Sequence, residues 1–323
     1  MKAHVLNLAL QGGGSYGAFT WGVLDRLLED ERIELDGLSG ASAGAMNAAV
    51  LAYGFTTGGR LGARQALRQF WESVAASVPV ASFAFLWRFA SPYQLNPLNR
   101  NPLRELLTSQ IDFARLRAEC SLKLFIGATS VRTGMARVFR TREITADVLL
   151  ASACVPALHH SVMIDGEAYW DGGLTANPPI RPLVYESDAR DILVVLLQPG
   201  PRPEVPRTAE GIQSRLGEIG LSATLFSELD GIALAKREAE RGAFALGSLE
   251  RRLRRLQLHF VCPPPAVSQM SMLSRLNTEA LFIEKLHDEG RNQADAWLAE
   301  QLPPAAGDIA FAPALPFAAK RAG

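Results

Sequence analysis

One serine of the sequence lies in a pattern that is typical of catalytic nucleophiles. Ser42 is the centre of the motif Gly-Ala-Ser-Ala-Gly at residues 40–44. Small residues on both sides of a serine permit the tight turn from strand to helix that exposes its hydroxyl group. The pattern is short enough to occur by chance, so a serine that only caps the N-terminus of a helix is the alternative.

A glycine-rich turn precedes this serine. It comprises Gly12, Gly13, Gly14, Ser15, Tyr16 and Gly17. Because glycines have no side chains, several backbone N–H groups can converge on one anion, and a following helix adds the positive end of its dipole. Such a turn binds the oxyanion of a tetrahedral intermediate or a phosphate. No Gly-Lys-Ser/Thr follows, which disfavours a P-loop, and a merely flexible turn is the other alternative.

An aspartate in a later turn could activate the serine. Asp171 precedes Gly172 and Gly173 and follows an aromatic pair, which places it on a predicted loop. A serine hydroxyl is a weak nucleophile until a base within hydrogen-bond reach accepts its proton. Asp-Gly is also a common pair in β-turns, which is the structural alternative. In chain order the three blocks supply an oxyanion site, a nucleophile and a base.

The segments around these blocks predict alternating strands and helices. Strands are predicted at 4–10, 35–39, 123–130, 136–140 and 192–197, and helices at 17–29 and 45–53. The strand at 192–197 is apolar throughout, as expected of a central strand buried on both faces. We therefore expect a three-layer α/β/α fold with a mostly parallel central sheet, in which Ser42 lies on an elbow between strand and helix.

The chain is expected to divide into three parts. Residues 5–200 form the catalytic core, in which 55–110 are predicted as short helices with a lid-like excursion. A Pro-rich linker leads to a helical extension, residues 207–303, which carries one further strand and packs on the core. Residues 304–323 are rich in Ala and Pro and are expected to be disordered.

Taken together, the motifs resemble those of the patatin-like phospholipases. The resemblance runs from about residue 6 to residue 179 and depends on four blocks in the family's order: Gly12–Gly17, Gly40–Gly44, Ala151–Leu158 and Asp171–Gly173. It implies hydrolysis of the acyl esters of lipids, of the phospholipase A, lysophospholipase or esterase type. It further implies a Ser–Asp dyad that needs no metal and no other cofactor.

The resemblance also implies a role for each site residue. Ser42 is the expected nucleophile, Asp171 the expected base, and the backbone N–H groups of Gly12, Gly13 and Gly14 the expected oxyanion hole. Tyr16 stands where the family often has Arg or Lys. This departure affects the expected head-group preference more than the expected catalysis.

The sequence also permits functions other than lipid hydrolysis by a Ser–Asp dyad. The same acyl-enzyme could be resolved by an alcohol, a thiol or a stored polyester, which would make the protein an acyltransferase or a polyester depolymerase. A lipid-binding protein with a degenerate site is a third function. A Ser–His–acid triad would need one of His159, His160, His259 or His287.

Composition predicts no nucleic-acid partner and a cytoplasmic location. Lys and Arg total 33, and Asp and Glu also total 33, so the net charge does not favour nucleic acid. The cysteines, Cys120, Cys154 and Cys262, lack the CxxC spacing of zinc or redox sites. The first residues are typical of a strand and not of a leader, and no run of about 20 apolar residues occurs. We expect a cytoplasmic protein, with peripheral contact at the inner membrane face as a further option.

Three segments could contact lipid or a second copy of the chain. Residues 74–87 are apolar and uncharged, which predicts a core element or an apolar rim over a lipid-binding mouth. Residues 236–255 predict a basic amphipathic helix that either lies on lipid or forms a solvated face. Residues 272–302 predict a helix that packs on the core or forms the seam of a homodimer.

Overall fold

The computed structural model describes residues 3–76, 90–197, 204–241, 247–268, 270 and 272–301. Most of the apolar segment 74–87, most of the Pro-rich linker and the tail 304–323 lie outside the described residues.

Eight strands and eleven α-helices make up the described part of the chain. The strands are β1 His4–Leu10, β2 Ile33–Gly40, β3 Lys123–Ser130, β4 Ala136–Arg140, β5 Val162–Ile164, β6 Glu167–Asp171, β7 Asp191–Val195 and β8 Gln257–Val261. The helices of the first half are α1 Gly17–Glu29, α2 Ala43–Ala75, α3 Pro92–Leu95, α4 Pro102–Gln110, α5 Phe113–Glu119 and α6 Ala146–Ser152. The helices of the second half are α7 Arg181–Glu186, α8 Ala209–Arg241, α9 Ser248–Arg255, α10 Pro265–Ser268 and α11 Ala280–Gln301.

All eight strands belong to one sheet. The order is β5-β6-β3-β2-β1-β7-β8, and β4 pairs with β3 off this path. Strands β3, β2, β1, β7 and β8 run parallel to one another. Strands β4 and β6 pair with β3, and β5 pairs with β6, in antiparallel fashion. The predicted α/β fold with a central sheet flanked by helices is confirmed.

The two faces of the sheet carry separate hydrophobic cores. Leu6, Leu8 and Leu10 of β1 pack with α1, α2 and α11 on one face, while Ala9 points to the other. That second face is covered by residues of α7, α8 and α9. Alternation of side chains along the buried strands thus yields two helical layers around one sheet.

Gly58 and Gly59 interrupt helix α2. Their φ and ψ values are not helical, and Gly59 adopts a φ of 62°, which glycine reaches without steric cost. A Cβ on Gly54 would stand 2.6 Å from the Gly62 carbonyl oxygen, so the chain turns back on itself at the glycine pair. The range Ala43–Ala75 thus contains two helical segments, and the first covers the helix predicted at 45–53.

The C-terminal part of the chain joins the same sheet. Strand β8 pairs in parallel with β7, and α11 lies so close to α1 that a Cβ on Gly22 would collide with the His287 carbonyl. Ile283 and Leu286 of α11 are buried within the chain. These two residues of the helix are thus used in packing on the core, as predicted.

The basic segment 236–255 is not one helix. It is divided between the end of α8 and α9, and several of its cations bind carbonyl groups of the chain. Lys236 donates to the Leu256 carbonyl at 2.6 Å, Arg252 to that of Val184 at 3.0 Å, and Arg254 to that of Ala239 at 2.7 Å. Among the described helices, none has the length and apolar character that crossing a membrane requires.

Candidate active site

Ser42 occupies the turn between β2 and α2. Its φ of 53° and ψ of −124° lie in a region that costs a non-glycine residue on the order of 1 to 3 kcal/mol. A Cβ on Gly40 would collide with the backbone of Gly44, and a Cβ on Gly44 would collide with the Leu10 carbonyl. Both flanking glycines are therefore required by close approach. The Ser42 side chain makes no capping hydrogen bond, so the interpretation as a capping serine is wrong.

Ser152 holds this strained turn in place. The Ser42 N–H donates to the Ser152 carbonyl at 3.1 Å and to its Oγ at 3.0 Å. The Ser152 hydroxyl in turn donates to the Gly127 carbonyl of β3 at 2.6 Å. The turn is thereby tied to the central sheet, and the Ser42 hydroxyl is left for other partners.

Sheet register brings Asp171 to Ser42. Gly40 of β2 pairs with Ile126 of β3, and Asp171 of β6 pairs with Ala128, two residues further along β3. Strand β4 pairs with the other edge of β3. Strands β2 and β6 therefore share one edge of β3, and β6 begins to pair where the pairing with β2 ends. The sequence had suggested that Asp171 lies on a loop, but it is the last residue of strand β6.

The Asp171 carboxyl group has neutral partners. It accepts a hydrogen bond from the Gly173 N–H at 2.7 Å and one from the Ser42 side chain. Asp171 is 6 % exposed, and burial raises its pKa to about 6, an effect that the two hydrogen bonds partly oppose. Among the described residues, no cation contributes to this pKa. The group is consequently ionised at neutral pH and close to its pKa, which suits a general base.

The glycine turn lies directly against Ser42. A Cβ on Gly12 would stand 2.8 Å from the Ser42 Cβ and 2.7 Å from the Ala41 carbonyl oxygen. The Gly12 N–H donates to Asn177 Oδ1 at 2.7 Å, so this donor is occupied. The N–H groups of Gly13 and Gly14 have no partner among the described residues, and they form the part of the turn that can receive an anion.

Asn177 is a site residue that sequence reasoning missed. It is fully buried, and while its Oδ1 accepts from Gly12, its Nδ2 donates to the Leu221 carbonyl of α8 at 2.9 Å. One signal was present in the sequence: a lone amide side chain before two prolines, six positions after Asp171. Nothing in that signal indicated the glycine turn as its partner.

The histidines lie elsewhere. All five belong to the described residues. His160 stacks on Tyr93 with ring centroids 4.0 Å apart, His259 pairs with Asp191 at 2.9 Å, and His287 stacks on Trp21 at 4.0 Å. His4 lies 3.7 Å from Asp191, and burial lowers the pKa of His159. None is bonded to Ser42 or Asp171, so the geometry does not favour a Ser–His triad.

Two of the cysteines have thiols that burial makes less acidic. Burial and the neighbouring Asp171 charge raise the pKa of Cys154 to about 12, and burial raises that of Cys262 to about 11. The Cys154 thiol donates to the His160 carbonyl at 3.0 Å. In the described ranges no group of three or more His, Cys, Asp or Glu side chains could hold a metal ion.

Comparison with known proteins identifies one family and two distant structures. A family model described as "Patatin-like phospholipase" matches residues 8–184, more than half of the chain. VipD from Legionella pneumophila is 17% identical, with a TM-score of 0.45, over 93% of this chain and 67% of that one. A chain of the SpcU–ExoU complex from the type III secretion system of Pseudomonas aeruginosa is 14% identical, with a TM-score of 0.29, over 92% and 77%. The comparison with curated proteins gives no match.

Proposed function

The chain belongs to the patatin-like phospholipase family, and we propose that it is a lipid acyl hydrolase in which Ser42 and Asp171 form the catalytic dyad. One observation carries this proposal. The hydroxyl of a serine on a strained elbow is hydrogen-bonded to a buried carboxylate that no described cation neutralises. Such a carboxylate can accept the serine proton, whereas a carboxylate paired with arginine would hold its charge too firmly.

The proposed reaction proceeds through an acyl-enzyme. Asp171 accepts the proton of the Ser42 hydroxyl while the serine oxygen attacks the ester carbonyl carbon. The N–H groups of Gly13 and Gly14 stabilise the oxyanion that forms, and protonated Asp171 returns the proton to the alcohol that leaves. A water molecule then gives a proton to Asp171 while its oxygen attacks the acyl carbon. Asp171 returns that proton to the Ser42 oxygen as the ester bond breaks, and the fatty acid is released.

The proposal modifies the oxyanion hole that the sequence suggested. Gly12 was expected to donate together with Gly13 and Gly14, but its N–H is bonded to Asn177. We assign Gly12 to the support of the turn and the next two glycines to the oxyanion. Because no step of this reaction requires a metal, hydrolysis is expected to persist in EDTA.

Turnover of a p-nitrophenyl ester tests the dyad. We expect Ser42→Ala and Asp171→Asn each to lower kcat by about 1,000-fold or more, since one loses the nucleophile and the other the base. Ser73→Ala is the matched control, because the partners of the Ser73 hydroxyl in the described part of the chain are the Gln69 carbonyl within α2 and Gln110. A dyad variant with the wild-type rate would refute the assignment.

We further propose that α8 contacts the lipid surface from which the substrate comes. Ile212, Leu216 and Ile219 lie on one face of α8, and each is at least 42% exposed. The helix reaches the active site, since the Leu221 side chain lies 3.2 Å from the position of a Cβ on Gly173. Leu174, next to that glycine, is also 42% exposed. With 3.6 residues per turn, Leu221 lies on the side of α8 opposite Ile212, Leu216 and Ile219, so the helix contacts the active site with one side and presents its apolar residues to solvent on the other.

Sedimentation with phosphatidylcholine–phosphatidylglycerol vesicles tests this contact. Leu216→Ser is expected to weaken vesicle binding by roughly tenfold, because a leucine side chain gains about 1.5 kcal/mol or more on burial. The control Leu61→Ser changes a leucine on α2 that is 62% exposed. Equal binding by both variants would contradict the proposed contact, whereas turnover of a soluble ester is expected to be unchanged in both.

A further inference from the structure

The glycine turn is held from a second side by residues that lie outside the family match. The match ends at residue 184, but the segment Met272–Leu276, a short 3₁₀-helix, packs against the turn. Its carbonyl and hydroxyl groups meet three successive residues, Gly14, Ser15 and Tyr16. The turn is thus enclosed between Asn177 at one end and this C-terminal segment at the other.

Ser274 makes two hydrogen bonds to the turn. Its hydroxyl lies 2.7 Å from the Tyr16 hydroxyl, and its carbonyl accepts from the Ser15 hydroxyl at 3.1 Å. Ser15 and Tyr16 are 5% and 1% exposed. Hydrogen bonds between buried groups are costly to leave unmade, because water does not replace the lost partner. Ser274 therefore constrains the turn at the two residues that follow Gly14.

Arg275 completes the contact. Its carbonyl lies where a Cβ on Gly14 would be, and Gly14 has a φ of 62°, so both space and backbone conformation require glycine there. The Arg275 guanidinium lies 5.2 Å from the centroid of the Tyr16 ring, which permits a cation–π interaction. Burial lowers the pKa of Arg275, while Tyr16 and Glu218 of α8 oppose that shift.

We propose that Ser274 is a positioning residue that aligns the Gly13 and Gly14 N–H groups with the oxyanion. Donors in such a site must be held in place before the reaction, because a small displacement weakens their bonds to the transition state. Consecutive glycines provide little rigidity of their own. Asn177 fixes the turn at Gly12 and Ser274 fixes it at Tyr16. The inference rests on the proposed function, since it concerns the oxyanion of that reaction.

This proposal gives a role to Tyr16, which departs from the family's frequent Arg or Lys. The Tyr16 hydroxyl is the group that the Ser274 hydroxyl contacts. The tyrosine thus connects the glycine turn to a segment that follows it by more than 250 residues. A C-terminal segment of this chain becomes part of its oxyanion site.

Kinetics of single and double variants test the proposal. Tyr16→Phe and Ser274→Ala each remove one hydroxyl of the pair, and we expect each to lower kcat for a p-nitrophenyl ester by about 10- to 100-fold, with KM within twofold of wild type. The double variant is expected to match the single variants, because both remove the same contact. Ser274→Thr retains a hydroxyl and is expected to recover most of the rate.

The chain offers a matched control pair. Tyr93 and Ser161 also join two hydroxyl groups, at 3.1 Å, on an exposed part of the surface. Tyr93→Phe and Ser161→Ala are expected to retain wild-type kcat. All rates are calculated per Ser42 labelled by a fluorophosphonate, so that loss of folded protein is not counted as loss of rate.

The outcomes separate this inference from the proposed function. If wild type is labelled at Ser42 but the Tyr16 and Ser274 variants keep kcat within twofold, the positioning role is refuted and the dyad stands. A change confined to KM, or single effects that multiply in the double variant, would also refute it. If the fluorophosphonate does not label Ser42 in wild type, the proposed function fails and this inference fails with it.

Discussion

Two buried aspartates in different regions have opposite electrostatic environments. Asp171, at the end of β6, is 6% exposed, and Asp25, within α1, is 4% exposed. Burial opposes ionisation of both, and it raises the pKa of Asp171 to about 6. In Asp25 the effect of burial is outweighed by its neighbours, which hold its pKa well below the usual range.

The partners explain the difference. Asp25 lies among side chains of two other helices: Arg64 of α2 at 2.7 Å, Arg291 of α11 in direct contact, and His287 of that same helix at 3.6 Å. Among the described residues, Asp171 accepts hydrogen bonds from a backbone N–H and a serine hydroxyl. A carboxylate that stabilises packing is neutralised by cations, whereas one that must accept a proton is given neutral hydrogen-bond donors. We therefore expect Asp25 to contribute to stability and Asp171 to the proposed reaction.

The largest expected effect separates the two residues by activity. Asp171→Asn is expected to lower kcat by about 1,000-fold or more, because the amide accepts no proton from Ser42. Asp25→Asn is expected to leave kcat unchanged per serine labelled by a fluorophosphonate. The measurement is ester turnover at pH 8, and equal loss in the two variants would break the comparison.

Asp25→Asn is expected to lower the free energy of unfolding more than Asp171→Asn does, which is the reverse of their order in kcat. Asp25→Asn removes the buried carboxylate that accepts charge-assisted hydrogen bonds from Arg64 and Arg291, which then keep Glu29 as their carboxylate partner. We expect a loss of about 3 to 5 kcal/mol in the free energy of unfolding. Urea denaturation followed by circular dichroism measures it. Asp288→Asn is the control, since Asp288 is largely exposed. An Asp25 variant as stable as the control would show that the cluster contributes nothing.

Asp171→Asn is expected to change the free energy of unfolding less than Asp25→Asn does, and in the opposite direction, by stabilising the fold. The folded pKa of about 6 exceeds the ordinary value of 3.8, so the folded state binds the proton more tightly than the unfolded state does. Stability therefore falls as pH rises from about 4 to 6, and above pH 6 the deficit is complete. Removing the charge is expected to gain about 1 to 3 kcal/mol at pH 8. A less stable variant would contradict this sign.

The pH dependence of stability gives the smallest and most local test. Asp25 has a depressed pKa, so its contribution is present above about pH 4 and is lost as pH falls further. Asp191, whose pKa is lowered by His259 and His4 against the effect of burial, acts in the same direction. In urea titrations, Asp25→Asn is expected to flatten the loss of stability below pH 4, and Asp171→Asn the decline between pH 4 and 6. If Asp25→Asn altered stability between pH 4 and 6 and Asp171→Asn altered it below pH 4, the proposed pKa directions of the two aspartates would be contradicted.

Much of the sheet and the elbow could be predicted because their signals are local. The apolar run at 192–197 closely matches β7, and the further strand predicted in the C-terminal extension is β8. The small residues around Ser42 indicated the turn. The placement of Asp171 on a loop was wrong, because β6 is defined by its pairing with β3. Two short antiparallel strands carry little periodicity of their own.

The supports of the glycine turn could not be predicted, because they come from distant parts of the chain. Asn177 and Ser274 act through hydrogen bonds to Gly12 and Tyr16 that span 165 and 258 positions. The occupation of the Gly12 N–H follows from the same contacts. Residue types alone identify the groups that react, but only the fold shows which groups hold them.

The central claim is that Asp171 activates Ser42, and the pH dependence of fluorophosphonate labelling tests it most directly. The account predicts that wild type is labelled at Ser42 with a rate that rises through an apparent pKa near 6. In Asp171→Asn the rate should be at least 100-fold lower and should not show that pKa. Labelling of Asp171→Asn at the wild-type rate, or labelling of a different residue, would contradict the account.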